Sequence, residues 1–135
     1  MRCFLAVFAA LTTAAIATMA AEASQPIYVL CQDAGVLTII DTESDEIAAR
    51  IDIAGKPASF TIDPVSGDAF ITQPETGNIA VADLKQRSIA RTLNIGGQPF
   101  GIAIDPADNL YVGDWSKDRV AVVDSQSGNI LKSIQ

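Results

Sequence analysis

The segment with the most varied chemistry spans residues 114–119 and reads Asp-Trp-Ser-Lys-Asp-Arg. It contains the single tryptophan of the chain, flanked by carboxylates and two cations. An indole ring stacks on planar or apolar groups, while charged side chains orient polar ones. The segment therefore predicts a ligand-binding loop, and its binding residues would be Asp114, Trp115, Lys117 and Arg119. The alternative interpretation is a capped turn whose amphipathic Trp115 covers a sheet edge.

The absence of histidine from the sequence excludes several kinds of chemistry. Ser-His-Asp and Cys-His catalysis both need an imidazole, as do His-ligated zinc and copper sites. A Cys-x-x-Cys-His motif for attached c-type haem is also missing. We therefore expect no catalytic residues, no metal site and no cofactor in this chain.

The first 23 residues have the pattern of a secretory signal peptide. Met1-Arg2 is a minimal positive start, residues 3–21 are almost entirely apolar, and Ala21-Glu22-Ala23 is typical of a cleavage site before Ser24. A membrane anchor is the alternative, because the apolar run is nearly long enough to span a bilayer. The many Ala and Thr residues favour cleavage. We therefore predict a periplasmic or secreted protein that has no membrane association after cleavage.

Cleavage would leave Cys31 as the single cysteine, so no internal disulfide can form. In an oxidising compartment a free thiol can bridge to a partner chain or take a redox role. The plainer interpretation is a half-buried cysteine without a function.

The sequence is acidic, with 16 Asp and Glu against 9 Lys and Arg and a net charge of −7. Removing the signal peptide takes away one residue of each sign and leaves this balance unchanged. Such a chain lacks the basic patch that nucleic-acid binding requires, so nucleic acid is excluded as a partner. The field favours neutral or cationic ligands.

An internal repeat dominates the rest of the sequence. Residues 27–64 align without a gap on residues 69–106 at an offset of 42, and residues 110–135 follow at an offset of 41. The identical pairs are Gly35/Gly77, Asp41/Asp83, Ile47/Ile89, Ala48/Ala90, Ile53/Ile95, Gly55/Gly97, Pro57/Pro99, Ile62/Ile104, Asp63/Asp105 and Pro64/Pro106. A period near 41 built from short β-type runs is typical of a propeller blade.

Each repeat divides into four predicted strands, A to D from the channel outwards. The short A runs, 58–62 and 100–104, alternate large and small residues. The B runs start at Tyr28, Phe70 and Tyr111, and the C runs are continuously apolar, as expected for a strand buried on both faces. The D run alternates, so Ile47, Ala49, Ile51 and Ile53 should share one face.

The predicted fold is an all-β partial β-propeller with three radial antiparallel blades. The domains are a signal peptide at 1–23 and an incomplete propeller at 24–135, with blade 1 at 27–53, blade 2 at 58–95 and blade 3 at 100–135. Blade 1 lacks its inner strand because the repeat starts at strand B. Three blades leave two apolar blade faces uncovered. We therefore expect a fragment of a longer chain whose further blades close the ring, or else an obligate oligomer, and the fragment is the favoured interpretation.

The repeats resemble the YVTN family of β-propeller repeats. The matching residues are Tyr28-Val29, Ile39-Ile40-Asp41 and Gly55-Lys56-Pro57, and in the next repeat Phe70-Ile71, Asp83 and Gly97-Gln98-Pro99. The stretch from Pro99 to Pro106, with Asn109 to Val112 and Arg119-Val120, is equally similar to an NHL repeat. The resemblance implies the propeller architecture and covers everything after the signal peptide. It implies little about function, because propellers host lyases, lactonases, dehydrogenase subunits and binding surfaces.

Propeller ligands usually bind at the channel mouth, where the B–C and D–A connections meet. This location adds Gln73 and Gln98 to the predicted ligand-binding residues and places Cys31 near the rim. Asp41, Asp83 and Asp124 recur at the ends of the C strands. A carboxylate ring suggests calcium, but strand C lies far from the axis, so aspartates that cap the C–D turns explain them better.

Two functions follow from these observations. The first is a secreted or periplasmic binding or scaffold module without catalytic residues, whose unknown ligand or protein partner binds at the channel mouth. The second is the N-terminal part of a periplasmic propeller enzyme or of a quinoprotein-type, oxidoreductase-associated subunit, with its cofactor ligands elsewhere. A self-associating structural piece is a third interpretation.

Overall fold

The computed structural model describes residues 24–135, which form eleven β-strands and no helix. The strands are β1 Ile27–Cys31, β2 Val36–Asp41, β3 Glu46–Asp52, β4 Phe60–Ile62, β5 Asp68–Gln73, β6 Asn78–Asp83, β7 Ser88–Asn94, β8 Pro99–Ile104, β9 Asn109–Asp114, β10 Arg119–Asp124 and β11 Ile130–Ile134. Within this range no helix is long and apolar enough to cross a membrane. The predicted signal peptide lies outside the described residues.

The strands form three separate antiparallel sheets in chain order. Blade 1 is β1-β2-β3, blade 2 is β4-β5-β6-β7 and blade 3 is β8-β9-β10-β11. Strands of this kind pair with their sequence neighbours because each connecting turn is short. The all-β class and the three-stranded first blade are confirmed.

The turns between strands C and D, the two outermost strands of each blade, are closed by aspartates. In blade 1 the Asp41 carboxylate accepts hydrogen bonds from the backbone N–H groups of Glu43 and Ser44, at 2.8 and 3.0 Å. These bonds lower the pKa of Asp41, the Ser44 amide contributing most. Asp83 and Asp124 accept the equivalent bonds in their own turns. The prediction of turn-capping aspartates is confirmed by these hydrogen bonds.

A β-bulge interrupts the outer strand at the same position of every blade. In blade 1 Ile39 is opposite Ala49 and Ile40 is opposite Ile47, which leaves Ala48 without a partner. One extra residue reverses the side-chain alternation. Ile47 therefore lies on the opposite face from Ala49, and the predicted common face for Ile47, Ala49, Ile51 and Ile53 is wrong at its first member.

The three sheets pack face to face in chain order. We call the face that looks towards the following blade the front, and the face that looks towards the preceding blade the back. The front of blade 1 and the back of blade 2 bury Leu37, Ile39, Ile51, Ile53, Ala69, Ile71, Ala80 and Ala82. The front of blade 2 and the back of blade 3 bury Phe70, Ile79, Val81, Leu93, Ile95, Leu110, Val112, Ala121 and Val123. The core thus consists of two parallel apolar layers, one on each side of blade 2.

Candidate functional site

The B–C and D–A connections meet at one end of the blades. The Ile53 N–H donates to the Gly35 carbonyl at 2.7 Å, and the Ile95 N–H donates to the Gly77 carbonyl at 3.1 Å. In blade 3 the Trp115 N–H donates to the Gln98 carbonyl at 3.1 Å. These bonds fasten each B–C connection to a D–A connection. The predicted site residues near 73, 98 and 114–119 therefore lie on one surface, which we call the mouth.

Asp114 is the anchor of the third B–C connection. Its side chain is buried, with the residue only 3% exposed. One carboxylate oxygen accepts from the Gln98 N–H at 3.0 Å and from the Ser116 hydroxyl at 2.8 Å. The other accepts from Arg119 Nε at 3.1 Å. A carboxylate with this many protein donors has little capacity left for a ligand.

The electrostatics of Asp114 support the same conclusion. Burial raises the pKa of this carboxyl. The Gln98 amide, the Ser116 hydroxyl and the Arg119 guanidinium together lower it by more than burial raises it, so the pKa of Asp114 is below the ordinary aspartate value. The group is therefore an ionised structural acceptor at neutral pH. A proton donor or general base at this position would need a raised pKa.

Arg119 is held as firmly as its partner. In addition to the bond to Asp114, its guanidinium donates to the Ser133 hydroxyl on the outer strand at 2.9 Å. The side chain is about one-seventh exposed. Arg119 therefore links the loop to the outer edge of blade 3, and the prediction that it orients a ligand stays untested.

Trp115 differs from Asp114 and Arg119 because its side chain faces solvent. The residue is 69% exposed. Its ring stacks on Phe100, with the ring centroids 3.9 Å apart and the planes 1° from parallel. One indole face is thus covered by a partner on the inner strand of blade 3, while the other faces outwards. We call this pair the aromatic shelf.

Gln73 occupies the same position in blade 2 as Asp114 in blade 3, and its role is similar. It is buried and donates from Nε2 to the backbone carbonyl of Ala54 in the preceding D–A connection. The Gln98 backbone bonds to the third B–C connection through its N–H and its carbonyl. The side chains of Gln98 and Lys117 are exposed. Of the predicted ligand-binding residues, Trp115, Lys117 and Gln98 are thus accessible, whereas Asp114 and Gln73 are committed to the fold.

Cys31 is placed on the back of blade 1. Its sulfur lies 3.9 Å from the Thr38 hydroxyl, and the residue is half-buried. It lines a hollow of about 330 Å³ whose other walls include Val29, Ile40 and Ile47. The thiol therefore belongs to the apolar blade face.

A cavity of about 560 Å³ adjoins the aromatic shelf. It is lined by Asp114, Trp115, Arg119 and Val120 together with the end of the outer strand, Ile134 and Gln135. The cavity lies on the front of blade 3. In residues 24–135 there is no cluster of three or more His, Cys, Asp or Glu side chains that could hold a metal ion.

Phe100 is the residue that sequence reasoning missed. It lies two positions after the predicted site residue Gln98, but its alternating strand context marked it only as a packing residue. Its stacking on Trp115 joins the inner strand to a loop 15 positions later in the chain, a contact that local periodicity does not encode. The signal available was the excess of aromatic residues in one blade, with Phe100, Tyr111 and Trp115 close together.

No family model matches the sequence, and no curated protein matches it. Several solved structures do match. Hydrazine synthase from Kuenenia stuttgartiensis superposes with a TM-score of 0.71 at 18% identity, over 80% of this chain and 32% of that one. Apo AztD from Citrobacter koseri has a TM-score of 0.67 at 21% identity, over 84% and 32%. The dihydro-heme d1 dehydrogenase NirN in complex with DHE has a TM-score of 0.65 at 15% identity, over 82% and 25%.

These neighbours are β-propeller-like, so the three sheets are three blades of a partial β-propeller. The identities are low, and the likeness shows the fold alone. The chain spans between a quarter and a third of the length of these structures. The closer resemblance to YVTN and NHL repeats stays a prediction.

Proposed function

We propose that this chain is a secreted or periplasmic β-propeller module that binds a partner at the mouth and has no catalytic residues of its own. The observation that carries the proposal is the aromatic shelf. Trp115 is 69% exposed, and one face of its ring is stacked on Phe100. An aromatic ring fixed before binding loses little conformational entropy when it takes a ligand.

The neighbouring charges support binding rather than catalysis. Asp114 is ionised and surrounded by protein donors, and Arg119 is bonded to both Asp114 and Ser133. Groups used in this way position the loop but do not transfer protons. The accessible polar groups beside the shelf include the side chains of Lys117, Asp118 and Gln98, and Asp118 lines the same cavity as Trp115.

The partner class follows from the shelf and from the net charge. A flat ring or apolar face stacks on an indole, and a cation is favoured both over the ring and in the field of a protein with net charge −7. The partner would therefore present a neutral or cationic planar group to Trp115.

Two small probes that differ in charge test this function. We expect tyramine, a cationic phenol, to bind with a dissociation constant on the order of 1 mM, the range for a fragment of its size. The anionic analogue 4-hydroxyphenylacetate should bind at least about threefold more weakly, because the net charge of the protein repels it. Calorimetry or saturation-transfer NMR measures both constants.

Two variants assign the binding to the shelf. Trp115→Ala should abolish tyramine binding, whereas Trp115→Phe should keep part of it because it keeps a ring at the same position. Val65→Ala, at an exposed residue on a different turn, is the control and should bind like the wild type. Unchanged tyramine binding by Trp115→Ala would exclude the shelf as the site.

A second candidate function is suggested by two structural neighbours that are enzymes, a hydrazine synthase and a dihydro-heme d1 dehydrogenase. On this interpretation the chain is the N-terminal part of a periplasmic propeller enzyme or an oxidoreductase-associated subunit, with its cofactor ligands elsewhere. Sequencing the gene on both sides of these 135 codons tests it. An uninterrupted reading frame with further blades and cofactor ligands would favour the enzyme over the binding module.

A further inference from the structure

The back of blade 1 is an exposed copy of a face that is buried elsewhere in the molecule. Val29 is 41% exposed, whereas Ile71 and Val112, at the same repeat position in blades 2 and 3, are fully buried. Ile27 is likewise exposed where Ala69 and Leu110 are not. The difference arises because blades 2 and 3 each have a preceding blade against this face.

The front of blade 3 is the complementary case. Val120 is 37% exposed, whereas Leu37 and Ile79 at the same repeat position are fully buried by the following blade. Ile134, which occupies the position of Leu93, is also exposed. Among residues 24–135, the front of blade 3 and the back of blade 1 are therefore not covered by another blade, and they are of the same types that pack together twice within the molecule.

We propose that two copies of this chain associate head to tail, with the front of blade 3 of each copy packed on the back of blade 1 of the other. Such a contact repeats the interface that the chain makes between its own blades. Propellers close with about four to eight blades, and two copies of three blades give six, the single multiple of three in that range. Both interfaces are then identical, related by the twofold axis along the channel.

One charged contact across the proposed interface is also complementary. Between blades 2 and 3, Arg91 on the front donates to the carbonyl of Ser125 in the C–D turn of the next blade, at 3.2 Å. The repeat places Lys132 at the position of Arg91, and Thr42 at the position of Ser125. The turn around Thr42 carries four acidic residues, Asp41, Glu43, Asp45 and Glu46. Docking thus brings a lysine to the most acidic turn of the molecule.

Association would also complete the surroundings of the aromatic shelf. The cavity of about 560 Å³ beside Trp115 is open on the front of blade 3, where the second copy would pack. The hollow of about 330 Å³ on the back of blade 1 would be covered by the same contact. Mass measures association and tyramine measures binding, so either proposal can fail without the other.

Light scattering after size-exclusion chromatography tests the association directly. The wild-type chain should have twice the mass of a single chain. Val29→Asp and Val120→Asp each place a carboxylate in one of the two faces, and burying it unpaired should raise the dissociation constant by at least about 100-fold. Both sites are exposed in a single copy, so the fold should survive, as checked by far-UV circular dichroism. Val65→Asp puts the same charge on a turn outside both faces and should remain dimeric.

Mixing the two variants distinguishes head-to-tail from symmetric pairing. Val29→Asp retains its front and Val120→Asp retains its back, so an equimolar mixture should regain one interface and form a mixed pair weaker than the wild type. A dimer built back to back would be lost in Val29→Asp but kept in Val120→Asp. Mixing the two variants would not bring Val29→Asp back into a dimer. The milder Lys132→Glu should weaken the dimer about tenfold.

Cys31 reports the back of blade 1 independently, since its thiol lines the hollow there. In a Cys3→Ser background, maleimide labelling of Cys31 should be slow in the dimer and fast after Val120→Asp, which alters the opposite face of the molecule.

A monomeric wild type at its highest soluble concentration would overturn the proposal, and so would a dimer that survives both face variants. Equal labelling rates would also contradict it.

Discussion

Asp114 and Trp115 are adjacent in the sequence and have opposite roles in the structure. The carboxylate of Asp114 points into the protein and collects donors from Gln98, Ser116 and Arg119. The indole of Trp115 points out and stacks on Phe100. A single loop thus combines a structural anchor with an accessible ring, because successive residues of an extended chain face opposite sides.

Asp114→Ala should lower the free energy of unfolding by about 1–3 kcal/mol, because it leaves the partly buried Gln98 N–H and Arg119 Nε without their acceptor. Chemical denaturation measures the change. Glu75→Ala removes an exposed carboxylate from the corresponding loop of blade 2 and should change the stability by less than about 0.5 kcal/mol.

The cost of Asp114→Ala should depend on pH in a defined direction. The pKa of Asp114 is lower in the folded protein than in the unfolded chain. The carboxylate's contribution to the free energy of unfolding is therefore complete above the unfolded-state pKa, and it is lost as the pH falls through the folded-state pKa. The difference between the two proteins should therefore shrink below about pH 4. A difference that stays constant down to low pH would show that the carboxylate charge contributes nothing.

At the scale of elements, the blades are joined by close backbone contacts at the mouth. Gly77 has a φ of +69°. A Cβ added there would meet the Gly96 Cα at 2.9 Å and the Gly96 carbonyl carbon at 3.0 Å. Both atoms belong to the backbone of a D–A connection and cannot move aside cheaply. The contact explains the glycines at this point of the first two B–C connections, Gly35 and Gly77, whereas blade 3 has Asp118 there with a φ of +48°.

Gly77→Ala should therefore destabilise the protein by about 2–3 kcal/mol, from the left-handed backbone and the steric overlap together. Gly55→Ala is the matched control, because Gly55 has a φ of +75° but no atom within 4 Å of an added Cβ. It should cost only about 1 kcal/mol. Thermal unfolding of both variants measures the difference, and equal losses would show that the overlap is relieved by small shifts.

The whole molecule consists of two apolar layers shared by three blades, so the importance of a side chain depends on whether a neighbouring blade covers it. Phe70 and Tyr111 occupy the same repeat position on the fronts of blades 2 and 3. Phe70 is 2% exposed and Tyr111 is 38% exposed. Their chemistry is alike, and their burial is decided by position in the array.

Phe70→Ala should lower the free energy of unfolding by about 3–5 kcal/mol, as large-to-small changes in a packed core do. Tyr111→Ala should cost less than about 1.5 kcal/mol, because much of its ring already contacts water. Both are measured in the Val29→Asp background, which removes association between copies. Similar losses at the two positions would mean that the front of blade 3 is covered in the monomer.

Much of this architecture follows from the sequence because the repeat period, the apolar runs and the turn aspartates are local signals. The strand order within each blade follows from these signals. The face of Ile47 was predicted wrongly because the bulge at Ala48 is set by pairing across strands, which alternation along one strand does not reveal.

The position of the candidate loop follows from the sequence, whereas ligand binding by its residues stays a prediction. The sequence by itself determined that Asp114, Trp115, Lys117 and Arg119 share a connection at the mouth, because loop position follows from strand order. Only the tertiary structure decided that the Asp114 carboxylate accepts hydrogen bonds from Gln98, Ser116 and Arg119, and that Phe100 stacks on Trp115. The reason is physical: burial and stacking are contacts between segments distant along the chain, and their geometry exists only once the blades have packed.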